Sequence, residues 1–265
     1  MPDGSYGKAV KRGYAPGDEV EFGSASIPKL MKAKEDLCYL LNHGYHMKGA
    51  SVFVGNHYLL SQRQRLALVR GVSAIESIQT RKAKETERLL PGGRVNIDGF
   101  NVIITLEVAL SGSTLLKCMD GTVRDLAALR GTYRLIDKTD TAIRLIGKAL
   151  EDMGAGEAVF YLDAPVSNSG RLKQRIIELL GSSSLKVQAE VIHNVDAVLE
   201  TKDYVITADA IILDKCVSWV NLNRRIMEEA FAGYPYVDFM RPEPVRQTAA
   251  EKEAKGQEKQ GGNRL

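Results

Sequence analysis

Four aspartates stand where apolar runs that read as β-strands come to an end. Val95-Asn96-Ile97 closes on Asp98 and continues as Gly99-Phe100-Asn101, and Phe160-Tyr161-Leu162 closes on Asp163. Asp196 follows the run that stops at Ile192, and Tyr204-Val205-Ile206-Thr207-Ala208 leads into Asp209. In an open parallel sheet, functional groups collect above the carboxyl ends of the strands, so one cleft could hold all of these side chains. Carboxylates gathered in this way repel one another unless cations lie among them. Oxygen-only ligands suit Mg²⁺ or Mn²⁺, and two such ions activate a water and stabilise the leaving oxygen of an in-line displacement at phosphorus. Each aspartate taken singly is also an ordinary helix or turn cap. Their repetition at equivalent strand ends is what turns the reading towards a metal-dependent site.

The elements that must position these groups follow from periodicity. Residues 1–25 read as a flexible arm. A helix opens near Ser26, with Ile27, Leu30, Leu37 and Leu41 on one face, and Gly44 ends it. After a turn-rich stretch, Ser61 and Gln64 have the spacing of a capping box for a helix that runs, with a break at Gly71, towards Leu89. Pro91-Gly92-Gly93 marks a boundary, giving a small all-α domain over 26–90 and a second domain over 91–240. In the second domain, strands are expected at Val95–Asp98, Ala158–Asp163, Val187–Ile192, Tyr204–Thr207 and Ser218–Leu222. Helices are expected at Thr141–Met153, Gly170–Leu180 and Arg224–Phe231, and Val102–Leu116 is read as helix because it follows a strand. Such alternation predicts a mainly parallel sheet covered by helices on both faces. Residues 241–265, rich in Glu, Lys, Gln and Gly, read as a disordered tail.

Charge divides along the same boundary. Residues 45–90 carry 8 Lys and Arg against 3 Asp and Glu, whereas residues 91–240 carry 16 against 20. A basic segment beside an acidic domain suits a protein that grips a polyanion with one part and holds cations with the other, although ordinary surface variation gives the same pattern. No run approaches the ~18 apolar residues of a membrane span and no secretory leader is evident, so a cytoplasmic protein without a membrane partner is expected. Cys38, Cys118 and Cys216 are widely spaced and read as buried small apolar residues.

Ile97-Asp98-Gly99-Phe100-Asn101-Val102 resembles the D-G-[YF]-N-V opening strand of the NYN branch of PIN-like nucleases. Thr207-Ala208-Asp209 is similar to the T-x-D strand end of PIN domains, and Asn194-Val195-Asp196-Ala197-Val198-Leu199 resembles the acidic segment before it. The resemblance covers residues 94–225. It implies a PIN-like α/β/α sandwich, dependence on Mg²⁺ or Mn²⁺, and hydrolysis of RNA to 5′-phosphate and 3′-hydroxyl ends. It also implies that Asp98 is the central metal ligand, that Asp163, Asp196 and Asp209 complete the acidic cluster, and that Asn101 orients a water, a ligand or Asp98. Residues 40–65 resemble a family of short helical domains found joined to PIN-like domains, which brings no activity with it.

Further groups could contact RNA. Ser167, Asn168 and Ser169, at a helix start, offer an anion cradle or a plain cap. Arg124, in Asp120-Gly121-Thr122-Val123-Arg124-Asp125, could meet a phosphate through two parallel bonds or pair with Asp120 or Asp125. Arg63 and Arg65, beside Asn56, His57, Tyr58 and Arg70, suit a phosphate backbone and unstacked bases, or a solvated helix face. Three other chemistries fail. The D-x-D-G-T motif of haloacid-dehalogenase phosphatases lacks its nucleophile, because position 118 is Cys118. Gly154-Ala155-Gly156 precedes a strand, so it makes no dinucleotide turn. The four histidines include no H-E-x-x-H pair. The rival to a nuclease is a non-catalytic RNA-binding or ribosome-associated module of the same fold. Whether the protein forms homo-oligomers stays open.

Overall fold

The computed structural model describes residues 10–90, 92–127, 131–182 and 184–241. Beyond Arg241 the expected tail lies outside these residues, as do Pro91 and Arg130. The chain is a mixed α/β protein with an N-terminal helical region: α1 (Asp18–Glu21), α2 (Ile27–Asn42), α3 (Met47–His57), α4 (Gln62–Gly71) and α5 (Ile75–Lys84). Ser61 caps α4 through its side chain, and Gln64 returns the bond to the Ser61 backbone, so the capping box is present in full. The break expected at Gly71 is present, with Val72 and Ala74 extended, and the helix that resumes at Ile75 ends at Lys84, short of Leu89. The stretch read as turn-rich forms α3.

After β1 (Arg94–Asp98) and α6 (Gly99–Leu110), two short strands follow, β2 (Leu115–Lys117) and β3 (Val123–Asp125). Then come α7 (Thr139–Asp152), β4 (Glu157–Asp163), α8 (Ser169–Leu180), β5 (Lys186–Ile192), α9 (Val195–Leu199), β6 (Val205–Ile206), α10 (Ala210–Lys215), α11 (Leu222–Ala230) and β7 (Tyr236–Asp238). The main sheet has the order β5-β4-β1-β6 and is parallel throughout. Strands β1, β4 and β6 are buried, whereas the edge strand β5 is only partly so. Val95, Ile97, Ala158, Phe160 and Leu162 pack with apolar residues of α6, α7, α8 and α11. Val159, Tyr161 and Val205 pack on the other side with α9, α10 and Trp219. Among the described residues no helix is long and apolar enough to cross a membrane.

Two expectations are corrected. Ser218–Leu222 is not a strand of the sheet: Trp219 forms isolated bridges to Glu85 and Val205 only, while its indole Nε1 donates to the carbonyl of Arg81 at 2.7 Å. The described part of the N-terminal arm is docked. Arg12 is buried and its Nε donates to Glu107 Oε2 at 2.8 Å, with the guanidinium 4.9 Å from the centre of the Tyr133 ring. Burial pushes the Glu107 carboxyl up, and Arg12, Thr139 and Tyr133 offset that only in part.

A second sheet, β3-β2-β7, was not anticipated. Leu116, Cys118, Leu126, Val237 and Phe239 from and around it share one core with Leu30, Leu37, Val54 and Leu68 of the helical region. A Cβ at Gly71 would overlap the Phe239 ring, so glycine at the end of α4 permits that approach. The helical region and the α/β part therefore bury one another's apolar surface instead of being joined by a free linker.

Candidate functional site

The four parallel strands end along one edge, and the aspartates follow the order of the strands. Asp196 lies in α9 just past β5, Asp163 ends β4, Asp98 ends β1 and Asp209 follows β6. From β1 the chain moves to β4 and β5 on one side and later to β6 on the other, so Asp98 and Asp209 flank the point where the winding reverses, where open α/β sheets place their crevice.

Asp98 is 8% exposed. Thr207 Oγ1 donates to its Oδ2 at 2.9 Å, and the backbone N–H of Asn101 donates to its Oδ1 at 3.4 Å, capping α6. Gly99 allows the helix to begin against β4, since a Cβ there would lie 2.6 Å from Leu162 Cδ2 and 3.1 Å from the carbonyl oxygen of Tyr161. The Asn101 carbonyl Oδ1 accepts from the backbone N–H of Ala208 at 2.8 Å. That fixes the side chain by its acceptor and leaves its Nδ2 as the group to offer a ligand, a donor suited to an anionic oxygen. Thr207 Oγ1 also accepts from the Asp209 backbone N–H at 3.0 Å, and Asp209 Oδ1 caps α10 through Ile211 at 2.7 Å. Capping and clustering thus coexist at Asp98 and Asp209.

Electrostatics tie the four together. Burial, with repulsion from Asp209 and Asp163, pushes Asp98 up to about 7 against the lowering bonds from Thr207 and Asn101. Burial likewise raises Asp163, opposed by the Val195 backbone amide. Asp196 is raised by burial, then by Asp209 and Asp163, while Lys215 opposes. Among the described residues, however, no three His, Cys, Asp or Glu side chains gather so that they could hold one ion. A hard cation at this edge would therefore need water and substrate oxygens for most of its ligand shell.

The other anticipated contacts are committed elsewhere. Arg63 makes two bonds to Asp18, at 2.8 Å each, and donates to the carbonyls of Gly13 and Leu126, so it ties the arm down. Arg65 donates to the carbonyls of Leu60 and Gly55. Ser167 Oγ accepts from the Tyr133 backbone N–H at 2.9 Å, and both it and Asn168 Nδ2 donate to the Tyr133 carbonyl, so this loop anchors a neighbouring one. Ser169 is buried at the start of α8. Arg124 takes the ion-pair reading: its Nη2 donates to Asp120 Oδ2 at 2.5 Å and its Nε to the carbonyl of Ala208 at 2.6 Å.

A cavity of about 630 Å³ lies between the helical region and the α/β part. Val69, Arg70 and Arg81 line it from α4 and α5, and Asn101, Thr105 and Asp209 from the opposite wall. Two of these, Arg70 and Arg81, belong to a network that sequence reasoning did not connect to the acidic edge. Arg81 donates to Asp120 at 2.7 Å and makes two bonds to Asp214, and Arg70 pairs with Asp125 at 3.3 Å. No local spacing signals these partners.

Asp98 carries a pH prediction. Its folded-state pKa lies above the unfolded value near 3.8, so the folded chain keeps a proton that the unfolded chain gives up. The contribution of Asp98 to stability is therefore full below about pH 4 and is lost as pH rises to about 7, a loss bounded by roughly 4 kcal/mol. In EDTA, Asp98→Asn is expected to unfold at higher urea than the native protein at pH 8, with the difference closing by pH 4. Equal midpoints at both pH values would mean that the Asp98 carboxyl is hydrated in the folded chain.

Residues 88–225 match the family Domain of unknown function (DUF5616), and residues 29–84 match Protein of unknown function (DUF434). The division between the two falls where α5 ends and before β1 begins. Over 183 residues the chain is 37% identical to the uncharacterized protein MJ0935 of Methanocaldococcus jannaschii, covering 69% of this chain and 88% of that one. No solved structure matches.

Proposed function

The chain belongs to the family Domain of unknown function (DUF5616), and from its site we propose that it is a metal-dependent ribonuclease with a PIN-like fold. The observation that carries this reading is the row of carboxylates along the carboxyl edge of a parallel sheet, mutually repelling and flanking the reversal in winding. A divalent cation bound there would lower the pKa of a bound water and neutralise charge on the leaving oxygen. Asp98 and Asp209 would hold it, the pair that Thr207 keeps in register by donating to one and accepting from the backbone of the other. Asn101 Nδ2 donates to a non-bridging phosphate oxygen, because its carbonyl is already held by Ala208. Arg70, one-third exposed in the cavity wall, supplies positive potential for the polyanion.

The second reading, an RNA-binding module without turnover, is favoured by one observation: Asp98 and Asp209 both cap helices, a role that needs no ion. A time course on labelled single-stranded RNA with Mn²⁺, set against EDTA, separates the two. Cleavage that EDTA abolishes supports the nuclease; RNA binding with no cleavage in Mn²⁺ supports the module.

A further inference from the structure

The cavity has two unlike walls. Met47, Val69 and Val72 of the helical region give one an apolar surface, and the other sets the hydrogen-bonding Asn101 and Asp209 of the acidic edge beside Ile104 and Ile211. Arg70 lies beside Val69 on the helical wall. An occupant must therefore be flat or compact and apolar on one side, hydrogen-bonding on the other, and anionic where it meets Arg70 and Asn101. A nucleotide has this distribution of chemistry. At about 630 Å³ the cavity is of a size for one or two nucleotides and far too small for a duplex.

Resting on the nuclease reading, we infer that this cavity is a base-holding subsite: the helical region receives one unpaired nucleobase while its phosphate lies at Asn101 and Asp209. The helical region then sets which nucleotide adjoins the scissile bond, through Val69 and Met47 against the face of the base and Ser77 within reach of its edge. The shared core with the second sheet keeps this wall in place relative to the acidic edge. Arg63 and Arg65, bound internally, take no part in it.

The test is calorimetric titration of the full chain, in Mg²⁺, with adenosine 5′-monophosphate, uridine 5′-monophosphate, ribose 5-phosphate and inorganic phosphate. Nucleotides are expected to bind about ten-fold or more tighter than ribose 5-phosphate, the gain from covering one flat ring face. Val69→Trp, at a position 38% exposed, fills the apolar wall and is expected to erase that gain; Ser77→Trp does so from α5. Thermal melting establishes that each variant is folded, and each tests the proposal without the other. Equal affinity for nucleotides and ribose 5-phosphate overturns the subsite, as does a nucleotide preference that survives in both folded variants. EDTA-sensitive RNA cleavage without base-dependent binding would remove the subsite and leave the nuclease standing. Base-dependent binding without cleavage would do the reverse.

Discussion

Asp98→Asn is expected to lower cleavage of single-stranded RNA by orders of magnitude while RNA affinity is kept or raised. The substitution preserves shape: an amide can still accept from the Asn101 backbone and meet the Thr207 hydroxyl, which can donate or accept. What it removes is the negative charge that burial and two neighbouring carboxylates already make costly. On the nuclease reading a cation would repay that cost, and hard divalent ions are held by charge, so the neutral amide would bind them poorly. Both the activated water and the stabilised leaving group go with the ion. Phosphate repulsion falls at the same time, so binding does not suffer. Rates on labelled RNA in Mn²⁺, compared for native protein and variant, decide the matter. Equal rates would remove Asp98 from the chemistry and point to a contaminating nuclease.

Asp120→Ala is expected to cost about 3–5 kcal/mol of stability, the range for removing one partner of a buried ion pair. The Asp120 side chain is fully buried and accepts from both Arg81 and Arg124, whose side chains are 4% and 9% exposed. Burial alone would raise the Asp120 carboxyl, but Arg124, the Thr122 hydroxyl and Arg81 outweigh it and hold the group below the usual carboxylate range. Without it, two guanidinia stay in the interior with part of their charge unanswered. Asp214→Ala removes another partner of Arg81, one whose side chain is 41% exposed, and should cost about 1 kcal/mol or less. Urea unfolding of both variants at pH 7 measures the contrast, and similar small losses would show that water reaches the network. Because Arg124 also holds the carbonyl of Ala208, Asp120→Ala should slow RNA cleavage through the adjoining Asp209.

The sheet that carries the site was legible because its signals are local. Apolar runs ending in aspartate gave β1, β4 and β6 within a residue or so, and the 3.6-residue periodicity gave α7 and α8. The Asp98-Gly99-Phe100-Asn101 segment could be read as chemistry, yet the bond that orients Asn101 comes from Ala208, far away in the chain, and no spacing foretells it. The second sheet was illegible for the same reason: β2 and β3 have three residues each, too few to show alternation, and β2 owes its other neighbour to β7. α3 was missed because Gly49, Gly55, Asn56 and His57 read as turn residues. Gly55 instead makes room for the Arg65 guanidinium, a tertiary reason for a residue that weakens a helix locally. Arg63 and Arg65 looked like a surface for RNA because sequence shows charge but not the carbonyls that consume it.

The parallel pairing of β2 with β7 has a consequence for synthesis on the ribosome. Leu116 lies against Val237, and the helical region closes its core on Val237 and Phe239, near the last described residues. At about 5–20 residues per second, Leu30, Leu37, Val54 and Leu68 would emerge roughly ten seconds or more before Phe239 can cover them. The nascent chain thus presents an uncapped apolar surface until β7 has been made, so this core cannot close before that strand arrives.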